Sequence, residues 1–340
     1  MSSDHFDGKK FFTPNAPPPR GFADVFRWML TRNPPRWAEE RRRASSLPPA
    51  IVEGERLLVT FVNHSTVLIQ TQGVNILTDP IWSERASPLQ FMGPRRFSEP
   101  GIDFDNLPPI NIVLLSHNHY DHMDKATLRR IQQRHGPRIY VPLGNEIYAS
   151  ALGAKRPREL DWWQSDQYSD HVTVHCTPSQ HFSGRAFWDR DNALWSSWVL
   201  ETPGGRIYFG ADTGFGPHFQ AIKQHFGHFR VAFLPIGAYA PRWFMSPVHM
   251  DPDEAVKAHQ ILWPAMSIGI HHETFSLADE PQYEPRERIE KLAAERHLNF
   301  VVPHNGDAIT VPEIVRSPGD ASDTKKIKSG AHLGITHLQG

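Results

Sequence analysis

The stretch Leu114-Leu115-Ser116-His117-Asn118-His119-Tyr120-Asp121-His122 runs an apolar strand directly into three histidines and an aspartate within six positions. Such spacing in a tight loop aims alternate side chains at one point. His117 and His119, two apart, can face the same side, while Asp121 and His122 reach a second point a few ångströms away. That is a two-metal layout. Neutral imidazole and carboxylate suit zinc at bonds of about 2.0–2.2 Å, and fewer than four protein ligands leave a place for water. Any one of these histidines alone would be read as a solvated loop residue; four potential ligands straight after a buried strand would not. Composition points the same way, with 20 histidines in 340 residues, more than core packing calls for. The single cysteine, Cys176, excludes an intrachain disulfide and a Cys-rich zinc module. It sits in an apolar alternating strand and reads as buried rather than nucleophilic, and neither a Gly-x-Ser-x-Gly elbow nor a Gly-rich phosphate loop is present.

Elements that could position this loop lie on either side of it. Leu57, Val59 and Phe61 alternate with other residues, 66–70 follows, and Gly73 turns the chain into 74–77, the pattern of an antiparallel meander. Residues 110–115 read as a buried strand, and Asp124 caps a helix expected over 125–133, stopped by Gly136 and Pro137. Further on, 172–177, 198–201 and 206–209 read as strands, with Gly204-Gly205 turning between the last two. Asp251, Pro252 and Glu254 supply an N-cap, an N1 proline and a third-position acid before a helix over 255–262. A strand at 267–270, a helix over 286–296 and a final strand at 300–302 complete the alternation. Sheets covered by helices are the architecture this order implies, with no fixed-period repeat visible. The expected division is an N-terminal arm over 1–55, a main domain over 56–316 and a polar tail over 317–340.

His117-Asn118-His119-Tyr120-Asp121-His122 resembles the His-x-His-x-Asp-His signature of the metallo-β-lactamase superfamily. Pro178-Ser179-Gln180-His181, Gly210-Ala211-Asp212-Thr213-Gly214 and Gly269-Ile270-His271 stand in the order expected of its remaining ligands. Leu77-Thr78-Asp79-Pro80, with Pro235-Ile236-Gly237-Ala238-Tyr239 and Pro241-Arg242-Trp243-Phe244-Met245, narrows the resemblance to the N-acyl-phosphatidylethanolamine-hydrolysing phospholipase D family, from about residue 57 to residue 307. The resemblance implies an α/β fold, the metallo-β-lactamase-like four-layer αβ/βα sandwich with metals at one edge between its halves. It also implies two Zn²⁺ per chain, with His117, His119 and His181 on one, Asp121, His122 and His271 on the other, and Asp212 bridging both. The implied reaction is hydrolysis of N-acyl-phosphatidylethanolamine to N-acylethanolamine and phosphatidic acid, with a metal-held hydroxide as nucleophile. A metal-dependent lactonase or another phosphoesterase of the superfamily is the alternative; a metal-bound scaffold without turnover is the reading from another class.

Two residues carry expected catalytic roles. Asp121 would orient the attacking oxygen as well as bind metal, and His249, just before the Asp251 cap, would contact a substrate phosphate or leaving oxygen. Family spacing favours His271 over its neighbour His272 as the ligand. His64 and His304 are candidates to line the same edge, and Asp79 to tie loops together beneath the metals. The run Arg242-Trp243-Phe244-Met245 either holds a lipid phosphate and acyl chains or packs as an ordinary loop.

Net charge does not choose a partner: 36 Lys and Arg against 37 Asp and Glu give −1, which excludes a strongly basic nucleic-acid binder. Phospholipid is the expected partner. In the arm, Phe22, Val25, Phe26, Met29 and Leu30 fall on one stripe of a short helix, surrounded by Arg20, Arg27, Arg32, Arg36, Arg41, Arg42 and Arg43. Such a stripe either packs on the main domain, the plainer reading, or lies on an anionic membrane surface. The polar start of the chain shows no secretory h-region, and no run approaches the ~18 apolar residues of a membrane span. A cytoplasmic protein with peripheral membrane contact is therefore expected, and no motif speaks to its oligomeric state.

Overall fold

Alternating Leu57, Val59 and Phe61 build β1 (Leu57–Asn63), which turns at His64 and Ser65 into β2 (Thr66–Thr71). Gln72 and Gly73 both take positive φ, the pair of values a type I′ hairpin turn needs, and deliver β3 (Val74–Thr78). The computed structural model describes residues 3–18, 20–40, 47–186 and 188–313. After the meander the connections become parallel. β4 (Ile112–Leu114), β5 (Arg138–Pro142) and β6 (Arg158–Leu160) add in register beside β3 through α2 (Lys125–Arg134) and α3 (Glu146–Ala151). Asp124 caps α2 by accepting the Thr127 backbone N–H. An earlier helix, α1 (Phe22–Thr31), precedes all of these.

The second half repeats the plan. β7 (Ser165–Ser169), β8 (Val172–Thr177), β9 (Ser197–Thr202) and β10 (Gly205–Phe209) pair antiparallel; β11 (Phe229–Pro235), β12 (Pro264–Ile270) and β13 (Phe300–Val301) follow in parallel. Their crossovers carry α4 (His218–Phe226), then α5 (Arg242–Met245) with α6 (Pro252–Leu262), then α7 (Glu284–Arg296). Asp251 and Glu254 close a capping box at the start of α6, with Pro252 in the first turn.

One expectation fails here: 300–302 is not the final strand. β14 (Ala308–Val311) returns to the first sheet and pairs antiparallel with β1, giving the orders β14-β1-β2-β3-β4-β5-β6 and β13-β12-β11-β10-β9-β8-β7. It covers an edge of β1 that would otherwise offer unpaired backbone groups.

Core packing shows the layers. In β11, Val231 and Phe233 join the core between the sheets with Phe61, Ile69, Trp198 and Phe209, while Ala232 and Leu234 face Ile222, Val256 and Ile289 of the outer helices. Leu128 and Ile131 of α2 cover Val113 and Leu77 on the outer face of the first sheet. Helices therefore lie outside two mixed sheets, the four-layer sandwich, and strands buried on both faces read as unbroken apolar runs.

The arm lies along this body. His5 bonds Asp161 at 2.8 Å and stacks on Trp162. Three residues of the α1 stripe, however, do not pack on the domain. Phe26, Met29 and Leu30 are 63%, 62% and 70% exposed. The docked edge is the one bearing Trp28, which stacks on Phe244 and donates to Asp279 at 2.9 Å. Arg41, Arg42, Arg43 and the tail over 317–340 lie outside the described residues.

Candidate metal centre

Parallel strands deliver their carboxyl ends to one edge of a sheet, and the sequence-marked residues leave from such ends. His117, His119, Asp121 and His122 follow β4, His181 follows β8, Asp212 follows β10 and His271 follows β12. The exits are sharp. Non-glycine residues take left-handed backbone at His64, Asp79, Ala211, Ala238 and His271, a concentration of strain typical of functional sites. A Cβ at Gly237 would stand 2.1 Å from the His271 carbonyl oxygen, so only glycine lets the chain after β11 pass against that turn.

These loops bring all seven expected ligands together, in two groups. His119 Nδ1 stands 2.8 Å from His117 Nε2 and 3.3 Å from His181 Nε2. Asp121 Oδ2 lies 3.3 Å from His122 Nε2 and 3.6 Å from His271 Nε2. Asp212 sits between the groups: its Oδ2 is 3.2 Å from His122 and from His271, and 3.8 Å from His181. His249 Nδ1 is 4.0 Å from the same oxygen, on a side chain 12% exposed. Ligand atoms fall within 4.8 Å of one another in each of four groups among the described residues, one of which joins His64 to Asp121, His122 and His271.

An outer ring of bonds fixes the inner one. Asp79, fully buried, accepts from His122 Nδ1 at 2.7 Å, from the Ser116 backbone N–H at 2.7 Å and from the Ser116 hydroxyl at 2.6 Å. Ser116 Oγ in turn lies 2.8 Å from His117 Nδ1, and His181 Nδ1 is 3.0 Å from the Val248 carbonyl. A carboxylate behind an imidazole orients the ring and raises its basicity toward a cation.

Charge in the cluster is divided unevenly. Burial pushes His117 and His181 well below the usual imidazole range, and His119 and His249 down to about 4. For His122 and His271 burial is outweighed by the negative Asp212 and Asp121, leaving His122 well above its ordinary value and His271 at about 9. Burial by itself would raise Asp121 and Asp212, but the neighbouring His122 and His271 hold both well below the usual carboxylate range. Two buried carboxylates thus keep their charge by borrowing protons on imidazoles, work that a dication does better. Buried polar atoms say the same: His122 Nε2, His271 Nε2, His249 Nδ1 and Asp212 Oδ1 have no hydrogen-bond partner. Orphaned donors and acceptors gathered around Asp212 fit metal coordination as their missing partner.

Neighbouring expectations sort themselves by geometry. His271 faces both carboxylates, whereas His272 stacks on Phe61 and lies 3.6 Å from Glu273. His304 stands 4.0 Å from Glu273 and belongs to none of the ligand groups. Arg242 is engaged within the protein. It is taken up by Glu254 at 2.6 Å, Asp251 at 3.2 Å and the His249 carbonyl at 2.9 Å, while Phe244 carries Trp28 and Trp243 lies under Arg27. The bracing of that run by two acids at the α6 cap is a role that sequence reading missed; the capping-box acids Asp251 and Glu254 were its one visible signal.

Two mixed sheets with outer helices and a His/Asp cluster at their strand ends define a metal-dependent hydrolase. Residues 74–272 match the model of the beta-lactamase superfamily domain, and the chain belongs to that family. It is 40% identical over 278 residues to a Mycobacterium tuberculosis protein described only as uncharacterized, covering 79% of this chain and 74% of that one. It is 38% identical over 248 residues to a Caenorhabditis elegans protein named N-acyl-phosphatidylethanolamine-hydrolyzing phospholipase D 1, covering 69% of each. Among solved structures, a metallo hydrolase from the archaeon Ignicoccus hospitalis aligns with a TM-score of 0.57 at 21% identity, over 76% of this chain and 99% of that one. That likeness shows the fold.

Proposed function

We propose that the protein is a binuclear zinc phosphodiesterase that hydrolyses N-acyl-phosphatidylethanolamine to N-acylethanolamine and phosphatidic acid. The observation that carries the two-metal reading is the division of the ligands into two groups that share Asp212 Oδ2. The lipid is supported by the 38% identity with the Caenorhabditis elegans relative and that relative's name. His117, His119 and His181 would hold one cation, Asp121, His122 and His271 the other, with Asp212 between. Two such cations lower the pKa of water toward neutrality and stabilise the attacking and leaving oxygens of a displacement at phosphorus.

The chain's own residues supply the rest. Asp121 contributes one carboxylate oxygen to the cluster and keeps its second to accept a hydrogen bond from the attacking oxygen. His249 is held at its carbonyl by Arg242 and is the partly exposed ring beside the cluster; neutral at pH 7, it donates an N–H to a phosphate oxygen of the substrate. The bond broken is P–O to the N-acylethanolamine oxygen. Water supplies the new P–O bond, and one of its protons ends on the released alcohol.

Zinc-loaded protein offered N-acyl phospholipid, lactones and small phosphodiesters is expected to turn over the phospholipid and, in ¹⁸O water, to place the label in phosphatidic acid. Turnover of lactones alone would remove the lipid assignment. Asp121→Asn should lose zinc and at least about 100-fold in turnover, more than outer-ring substitutions around bound metals cost. Undiminished turnover in that variant would remove Asp121 from the mechanism.

A further inference from the structure

His64 occupies the turn between β1 and β2 in left-handed backbone, φ +47°, a region uncommon for any non-glycine residue though more open to histidine than to most, and its neighbours hold it there. The support comes from the metal edge. Its N–H donates to Thr274 Oγ1 at 3.0 Å, and its carbonyl accepts the His271 N–H at 2.7 Å, His271 being itself left-handed at φ +62°. Its ring, 1% exposed, lies 3.9 Å from the His271 ring between centroids and meets the edge of Phe275.

Where that ring points is informative. His64 Nε2 makes an aligned hydrogen bond to Asp121 Oδ2 at 3.0 Å. His122 Nε2 and His271 Nε2 stand 3.3 Å and 3.6 Å from the same oxygen and make no hydrogen bond to it. Those two nitrogens are left without a hydrogen-bond partner, whereas the His64 nitrogen has the carboxylate as its own.

We propose that His64 is a positioning residue for the second cation rather than one of its ligands. It donates Nε2–H to Asp121 Oδ2 and, through its carbonyl, holds the His271 main chain, so that two ligands from β4 and β12 loops are set in place before a cation arrives. The carboxylate oxygen keeps a further lone pair for the metal, as oriented ligand carboxylates do. This inference rests on the two-metal reading of the cluster.

The test uses the purified full chain, with zinc counted by mass spectrometry and site affinities read by chelator competition. His64→Ala is expected to weaken the second zinc site about 10–100-fold and leave the first unchanged. His64→Gln, whose amide N–H reaches to where Nε2 stood, should recover most of that loss; His64→Asn, whose amide stops near the Nδ1 position, should not. In cobalt-substituted protein the second-site visible bands should shift in His64→Ala and return in His64→Gln. Equal affinity in parent and His64→Ala overturns the proposal. Failure of His64→Gln to recover overturns it in favour of a direct ligand, and equal loss at both sites with a lowered metal-free unfolding midpoint marks a merely structural residue. A parent that takes up no second zinc instead fails the two-metal reading, a result distinguishable from all of these.

Discussion

At the scale of single residues, His271 makes the site's charge measurable without any substrate. Its folded pKa is raised from 6.5 to about 9: burial lowers it, and the charge of Asp212 together with the nearby Asp121 carboxylate more than restores it. A histidine raised in this way favours folding fully below about pH 6.5 and loses that contribution as pH climbs through 9. His122 is shifted in the same direction. The depressed rings of His117, His119 and His181 are neutral throughout that window, so they do not obscure it. Metal binding needs the same imidazoles deprotonated and therefore strengthens as pH rises. The melting temperature of EDTA-treated protein is thus expected to fall between pH 6.5 and 9, while the gap between zinc-loaded and metal-free protein widens over the same range. Scanning fluorimetry at fixed zinc reads both. His271→Ala should flatten the metal-free curve; a gap that narrows toward pH 9 would contradict the ligand assignment.

At the scale of elements, the site depends on how helices and loops are tied behind it. Arg286 of α7 bonds Glu273 at 2.7 Å and 3.0 Å and donates to the Val302 and Pro303 carbonyls, joining α7 and the chain after β13 to the turn that carries His271. Both partners are 8% exposed. Removing one member of such a pair strands the other as a buried charge, so Arg286→Met is expected to cost about 3–5 kcal/mol in urea unfolding, and Arg286→Met with Glu273→Leu to recover much of it. A loss below about 1 kcal/mol would class the pair with exposed ones. What could be read in advance at this scale follows a physical rule. β1, β2 and β3 show in their alternation and tight turn, and α2 and α6 in their caps, because each signal is local. β11, buried on both faces, gives only a continuous apolar run, and β14 exists because Ala308 to Val311 meet β1 from the far end of the chain. The ligands were legible because strand-end loops carry them outright. His64's link to Asp121 was not, since it arises only when the β1–β2 turn folds onto β12.

At the scale of the whole molecule, a bilayer substrate would have to reach a site that no membrane-crossing helix brings to it: among the described residues no helix is long and apolar enough to cross a membrane. α1 offers another route. Trp28 stacks on Phe244 of α5, and Arg242 of the same short helix holds the His249 carbonyl, so α1 is coupled to the site's edge through two contacts. That docking turns Phe26, Met29 and Leu30 outward, with Arg27 on the same helix and Arg20 just before it. Were α1 to meet an anionic lipid surface, that outward apolar ridge would insert and the flanking arginines would meet headgroups. Full burial of a Phe or Leu side chain stabilises by roughly 1.5–3 kcal/mol, so replacing Phe26 and Leu30 by Asp should weaken vesicle binding by on the order of 100-fold or more. Flotation with phosphatidylglycerol-containing vesicles measures this, and high salt should weaken the parent's binding by screening its arginines. Hydrolysis of a small soluble phosphodiester should be unchanged in the same variant, because Phe26 and Leu30 are exposed and their loss removes no ligand. Flotation equal to the parent's would retire α1 as the contact, and loss of self-association in the variant, with vesicle binding intact, would reassign the ridge to a second copy of the chain.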